Sequence, residues 1–326
     1  MSTFDCSVTN VSHAVEASAL ANRPTPTRKT KLCGLLLNVA AAISLALSGA
    51  IIQFSELGGC TASFGVGYLG TLSGLVGLFA CSRKTYPRDK LFKVFLNGFF
   101  CAGLFNFLFF LSLDFMTVGD ATAVNYFSAF GFCLILEIFC LKFVPHWCTV
   151  LSTLIGLAGL ACISQSQTGD DFDFDLSYIL GVVLSTLSGF FGALSFINMH
   201  KLTNIPVSLL VAASFTGCCI FPLPEMINNK MELQSASIAD RILAIFGYSL
   251  YVAVGFFGIL GSRKSLPSLS FLIKLLSIVL CYILQVFWLQ EDPMVLSIVG
   301  SCLICVSIVL QSLIAMMTTH PITSSA

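Results

Sequence analysis

Cys81-Ser-Arg83-Lys84-Thr-Tyr-Pro87-Arg88-Asp-Lys90-Leu-Phe-Lys93 places five basic residues in thirteen positions, where the apolar run Ala62–Cys81 hands over to Leu91–Ser112. Basic residues concentrated beside apolar runs of that length read as the cytosolic edge of a membrane. Outward from this point the pattern continues. Ten apolar runs follow one another: Leu32–Phe54, Ala62–Cys81, Leu91–Ser112, Asp120–Leu141, Trp147–Ser164, Ser177–Met199, Pro206–Leu223, Asp240–Gly261, Leu266–Trp288 and Pro293–Met316. Each has the length, about 20 residues, that a helix needs to cross roughly 30 Å of hydrocarbon.

The charges fall into alternate gaps of this zigzag. Thirteen of the sixteen Lys and Arg residues lie on one side, from Arg23, Arg28, Lys29 and Lys31 through the quoted stretch to Lys142, Lys201, Arg263 and Lys264. Only Lys230 and Arg241 lie on the other, and Lys274 lies inside the ninth run. The bias predicts an all-α integral membrane protein of ten spans with both termini cytosolic. Composition agrees: 56% of residues are hydrophobic and 10% charged, against about 25% charged in soluble domains. A net charge of zero, with no basic cluster beyond the residues flanking the runs, argues against a nucleic-acid partner.

The same zigzag sets the organisation. Residues 1–31 form a polar cytosolic tail carrying Pro24 and Pro26, expected to be disordered and to contain no cleavable signal peptide. Its sequon Asn10-Val11-Ser12 is expected to stay unmodified on that side. Residues 32–164 and 177–316 form two five-span halves, joined by an acidic non-cytosolic loop at 165–176 that carries Asp170, Asp171, Asp173 and Asp175. Residues 317–326 form a short cytosolic tail with no targeting motif, so the plasma membrane and the endomembranes (ER or Golgi) both stay open.

The halves echo each other. Phe139-Cys-Leu141-Lys142-Phe-Val-Pro145 closes the fourth run, and Phe287-Trp-Leu289-Gln290-Glu-Asp-Pro293 closes the ninth, 148 residues later. Five spans per half is an odd number, so the copies enter the membrane from opposite sides. Such inverted repeats exchange conformations in alternating-access transporters. Gly67, Gly70, Gly74 and Gly77 in the second run, and the pairs Gly189/Gly192 and Gly255/Gly258, predict close helix packing.

Of the fourteen cysteines, most lie within runs and only Cys60 lies near the outer face, so they read as packing residues. Cys302-Leu-Ile-Cys305 has metal-like spacing but no nearby partner, and neither metal nor cofactor is expected. His13, His146, His200 and His320 lie outside the runs or at their ends, which argues against an enzyme.

Lys274 is the leading candidate for a substrate site. It lies eight residues into the ninth run, roughly 12 Å of helix from the cytosolic end. An ammonium at that depth needs water, an anion or a carboxylate partner. Snorkelling to the interface and pairing with Glu137 are the structural alternatives. Asn125, Asn38, Ser48 and Gln285 are further candidates to line a cavity, as are Ser44, Asn97 and Asn106. Hydrogen bonding between helices is the competing role for each buried amide. Glu137 is a candidate for ion coupling or a structural salt bridge. Asp120 is expected to cap a helix over Ala121–Leu141.

Leu113-Asp-Phe-Met-Thr-Val-Gly-Asp120-Ala121-Thr122-Ala-Val resembles the fourth-span start of EamA-type members of the drug/metabolite transporter superfamily. Phe139-Cys-Leu-Lys142 resembles the close of that span, and Phe257-Gly258-Ile-Leu-Gly261 followed by Lys274 is a second match. The nearest group by resemblance is group G of solute carrier family 35. The resemblance implies a ten-span transporter of a small metabolite, with organic carboxylates favoured and the ninth-span lysine facing a central cavity. The sequence departs from the pattern at Phe143, where an acid is usual, at Glu137, and in the short link Gly261–Ser265. These departures keep open a non-transporting membrane adaptor or regulator. A nucleotide-sugar or phosphorylated-metabolite antiporter is a further alternative. The expected partners are the lipid bilayer and a small, anionic molecule.

Overall fold

The computed structural model describes residues 28–54, 58–81, 88–116, 118–141, 147–167, 176–202, 205–228, 237–264, 273–274, 276–284 and 295–317. Residues 168–175 of the acidic loop, Lys142, Phe143, Ser265, Gln285 and the second copy of the repeated motif lie outside them, as does the N-terminal tail up to residue 27. The side chains of Asp120 and Glu137 also lie outside the described set.

All regular structure among the described residues is helical. Helix α1 spans Arg28–Phe54 and α2 Gly59–Cys81. Helix α3, Arg88–Phe95, continues through a π-helical segment, Leu96–Ala102, into α4, Gly103–Ser112. Then follow α5, Val118–Leu141, and α6, Trp147–Gln167. The second half of the chain contributes α7, Leu176–Lys201, α8, Val207–Ile220, the short α9, Leu223–Asn228, and α10, Ile238–Ser262. Ile273 and Lys274 are helical just ahead of α11, Leu276–Leu284, and α12 covers Val295–Met317.

Six stretches among the described residues are long and apolar enough to cross a membrane: Leu32–Ile52, Gly59–Ala80, Lys90–Ser112, Leu176–Met199, Val207–Glu225 and Ile238–Ser262. The chain is a multi-pass membrane protein. Helices α5, α6 and α12 carry shorter apolar stretches, Ala121–Leu136, Val150–Gly159 and Ile298–Ser307.

The distribution of side chains suits a lipid solvent. Phe79, Val76, Phe139 and Trp147 lie exposed on the outside, whereas Asn38, Ser63, Asn106, Asn125 and Lys274 are buried. Water does not drive helices together in lipid, so packing rests on small residues and interhelical hydrogen bonds. The glycine row of α2 shows this directly. A Cβ on Gly74 would fall 2.6 Å from the backbone nitrogen of Ala212, and Gly67 and Gly70 are closed off in the same way by Cys219 and Phe215. Ser63 Oγ donates to the Cys218 carbonyl at 3.0 Å along the same α2–α8 seam. Likewise α6 lies along α12, where Ser307 Oγ donates to the Ser152 carbonyl at 2.7 Å.

The remaining contacts tie the ends of the chain into one body. Helix α1 packs on α10 and α11, α7 packs on α4 and α5, and α8 packs on the π-helical segment. The first turn of α2 is capped from a distance, because Gly59 N–H donates to Asp114 Oδ1 at 2.7 Å. At α10 the cap is local. Asp240 N–H donates to Ser237 Oγ at 3.1 Å and Ser237 N–H to Asp240 Oδ2 at 3.2 Å, a reciprocal capping box. Asp120, expected to cap a helix over Ala121–Leu141, lies in α5 as described from Val118, and its capping role falls outside the described residues.

Candidate functional site

Five helices and the residues before α11 converge on a cavity in the middle of the bundle. Asn106 comes from α4, Tyr126 from α5, Ser195 and Phe196 from α7, Phe215 from α8, and Tyr251 and Gly258 from α10. Lys274 closes the ring of residues. The cavity measures about 60 Å³, room for about four to six waters at roughly 10–15 Å³ each.

Lys274 is 3% exposed. Its Nζ lies 4.3 Å from the centroid of the Phe196 ring, within the range of a cation–π contact. The glycine at 258 makes room for it, since a Cβ there would lie 3.0 Å from Nζ. The ammonium is thus held at the cavity wall. A snorkelling lysine would not be this buried.

Polar groups around it are set by the helices. Tyr251 Oη donates to Asn106 Oδ1 at 2.9 Å, and Asn106 Nδ2 donates to the Ala102 carbonyl at 2.8 Å. This fixes the amide's orientation. Ser214 Oγ is turned back onto the Leu210 carbonyl at 2.8 Å. Ser195 Oγ is buried and meets no hydrogen-bond partner among the described residues. The π-helical i→i+5 spacing brings Asn97 onto the face of Ala102, and Asn106 follows four residues on. Both polar atoms of the buried Asn97 side chain also lack a partner among the described residues.

The other sequence candidates are seated in helix seams. Asn125 Nδ2 donates to Ser188 Oγ at 2.8 Å, and Ser188 Oγ donates to the Phe105 carbonyl at 2.6 Å, joining α4, α5 and α7. Asn38 is fully buried between α1 and α10, against Gly261. Ser48 Oγ donates to the Leu45 carbonyl of its own helix at 2.9 Å. None of the three lines the cavity. Gln285 lies outside the described residues, and the side chain of Glu137 does too.

Sequence reasoning did not single out Tyr126, Tyr251, Ser195, Phe196 or Phe215. Two signals pointed their way. Gly255 and Gly258 were read as packing glycines, and both face the cavity. Tyr126 stands beside Asn125, the polar residue that drew attention to that turn.

At the edge of α10, Arg263 donates through one terminal nitrogen to the carbonyls of Leu202 at 3.1 Å and Ile205 at 2.6 Å. Its half-buried guanidinium is shifted below its ordinary range by desolvation. The short link after α10 is therefore pinned to the α7–α8 connection. Among the described residues no three His, Cys, Asp or Glu side chains come together to hold a metal.

No protein-family model matches the chain, and no curated protein matches it. A solved structure described as the crystal structure of a protein superposes with a TM-score of 0.69 at 16% identity, covering 90% of this chain and 99% of that one. At that identity the likeness concerns the fold alone.

Proposed function

We propose that the chain is a secondary transporter of a small anionic metabolite, working by alternating access around the cavity at Lys274. The observation that carries this reading is the buried lysine in a cavity built from both halves of the chain. A cation deep in the membrane marks a substrate or ion pathway by default.

The architecture proposed with it has ten spans, two inverted five-span repeats and both termini cytosolic. Support comes from the packing, which maps onto itself when the halves are exchanged. The α1–α10 contact pairs with the contact of α7 on α4 and the π-helical segment. The α1–α11 contact pairs with α7–α5, and α2–α10 with α8–α4. The α2–α8 and α6–α12 contacts map onto themselves. Repeats related in this way place their site at the shared interface. The drug/metabolite transporter resemblance around Leu113–Gln165, and its lysine-bearing ninth span, lean the same way.

The test is uptake of labelled organic anions into proteoliposomes by wild type and Lys274→Ala. Saturable uptake that disappears in a folded Lys274→Ala protein is the expected outcome. Uptake indifferent to Lys274 would remove it from the site. Well-folded protein that moves no anion would instead point to a non-transporting adaptor in the plasma membrane or an endomembrane.

A further inference from the structure

Resting on the transporter reading, we infer that Ser195 is a specificity-determining residue of the cavity and that the substrate group it recognises is a hydroxyl. Ser195 lines the cavity and is 1% exposed, and its Oγ meets no hydrogen-bond partner among the described residues. A serine inside a helix readily turns its hydroxyl back onto the carbonyl three or four residues earlier. Ser48, Ser112, Ser214 and Ser262 all do so here, at 2.9, 2.7, 2.8 and 3.0 Å. Ser195 makes no such bond to the carbonyls of Phe191 or Gly192. A buried hydroxyl left in this way costs free energy that a bound partner recovers.

The reason lies in how α7 meets α4. Residues 188, 192 and 195 follow one another at helical spacing along one face of α7. Ser188 Oγ donates to the Phe105 carbonyl at 2.6 Å. One turn on, the Phe105 ring covers Gly192, where a Cβ would fall 2.6 Å from its Cδ2. Ser195 comes next on this face, where the seam gives way to the cavity. Ala102 of the π-helical segment shares that wall, but its carbonyl already accepts from Asn106 Nδ2 at 2.8 Å. The row on α7 therefore spends Ser188 on structure and leaves Ser195 to the ligand. A serine hydroxyl both donates and accepts. Another hydroxyl answers both functions at one atom, whereas a carbonyl or an ether oxygen only accepts. A volume of about 60 Å³ suits a small hydroxylated metabolite.

The experiment uses small carboxylates in pairs that differ by one hydroxyl: acetate and glycolate, propionate and 3-hydroxypropionate, malonate and tartronate. Equilibrium binding to the purified full-length protein and uptake into proteoliposomes are measured in parallel. In at least one pair the hydroxylated member is expected to bind roughly tenfold more tightly or better. That preference is expected to vanish in Ser195→Ala and to return in Ser195→Thr. Because no protein group loses a partner in Ser195→Ala, the thermal midpoint of the ligand-free variant should equal or exceed that of wild type. A lowered midpoint would make the hydroxyl structural and overturn the inference. So would a preference that survives in Ser195→Ala, one that Ser195→Thr does not restore, or no preference in any pair. Uptake of these anions without regard to the hydroxyl would overturn the inference and leave transport standing. Hydroxyl-selective binding that depends on Ser195, with no uptake of any anion, would uphold the role of Ser195 and overturn transport. Binding of none of these carboxylates overturns the inference.

Discussion

The position of Lys274 depends on what residue 258 lacks. Glycine leaves the space that Nζ occupies, so Gly258→Ala brings a methyl to 3.0 Å from the ammonium. A lysine tip gives way readily, so the variant is expected to fold normally. Its affinity for the anion should fall by roughly three- to tenfold, a cost of about 1 kcal/mol. Concentration-dependent uptake by Gly258→Ala measures this, and unchanged KM would detach the glycine from the site. Tyr251 carries a different prediction, about stability. Tyr251→Phe removes the hydrogen bond to Asn106 Oδ1 and leaves a buried acceptor short of its donor. The expected loss is about 1–3 kcal/mol, read as a lowered thermal midpoint of the detergent-solubilised protein. An undisturbed midpoint would mean that the amide finds another donor.

Elements in this molecule meet through small residues, and the structure separates glycines at a contact from those without one. Gly74 touches the α8 backbone, so Gly74→Val forces α2 and α8 apart and should destabilise the fold by about 1–3 kcal/mol or more. Among the described residues, Gly131 on α5 has no atom from outside its own stretch of helix within 4 Å of its would-be Cβ. Gly131→Ala is therefore expected to be neutral or stabilising by up to about 1 kcal/mol through helix propensity. Melting both variants beside wild type tests the contrast. Equal effects would mean that helix propensity, not interhelical contact, governs these positions. The π-helical segment belongs to the same scale. It changes the register between Asn97 and Asn106 and so aligns two buried amides that a regular helix would turn apart.

Across the whole molecule, the α2–α8 seam joins one half of the chain to the other, and Ser63 lies 3.2 Å from the Cys218 sulfur. Ser63→Cys is expected to form a disulfide with Cys218 under oxidation and to tie the halves together near one face. If the halves rock against each other during transport, oxidised Ser63→Cys should lose uptake and recover it with reductant. Continued uptake by the cross-linked protein would exclude movement at that seam. The charge pattern makes a second prediction at this scale. Tags at both termini should be reached from the cytosolic side alone, and a tag in the 165–176 loop from the other. A terminus accessible from the opposite side would overturn the zigzag.

The multi-pass, all-helical character was legible in one dimension, because hydrophobic length acts locally along the chain. So was the buried lysine, since a charge amid apolar residues stands out without any fold. The glycine row also announced a close contact, although not its partner, α8. The cavity itself was not legible. Its aromatic wall comes from five helices distant in sequence, and Phe and Tyr among 30 phenylalanines and seven tyrosines carry no mark of the way they face. Asn125, Asn38 and Ser48 looked equally able to line a site, yet Asn125 is held by a hydrogen bond between helices, Ser48 by one within its own helix, and Asn38 is buried against Gly261. The Asn125 bond exists only once the helices have met, so packing decides which polar group is spent on structure and which faces the cavity.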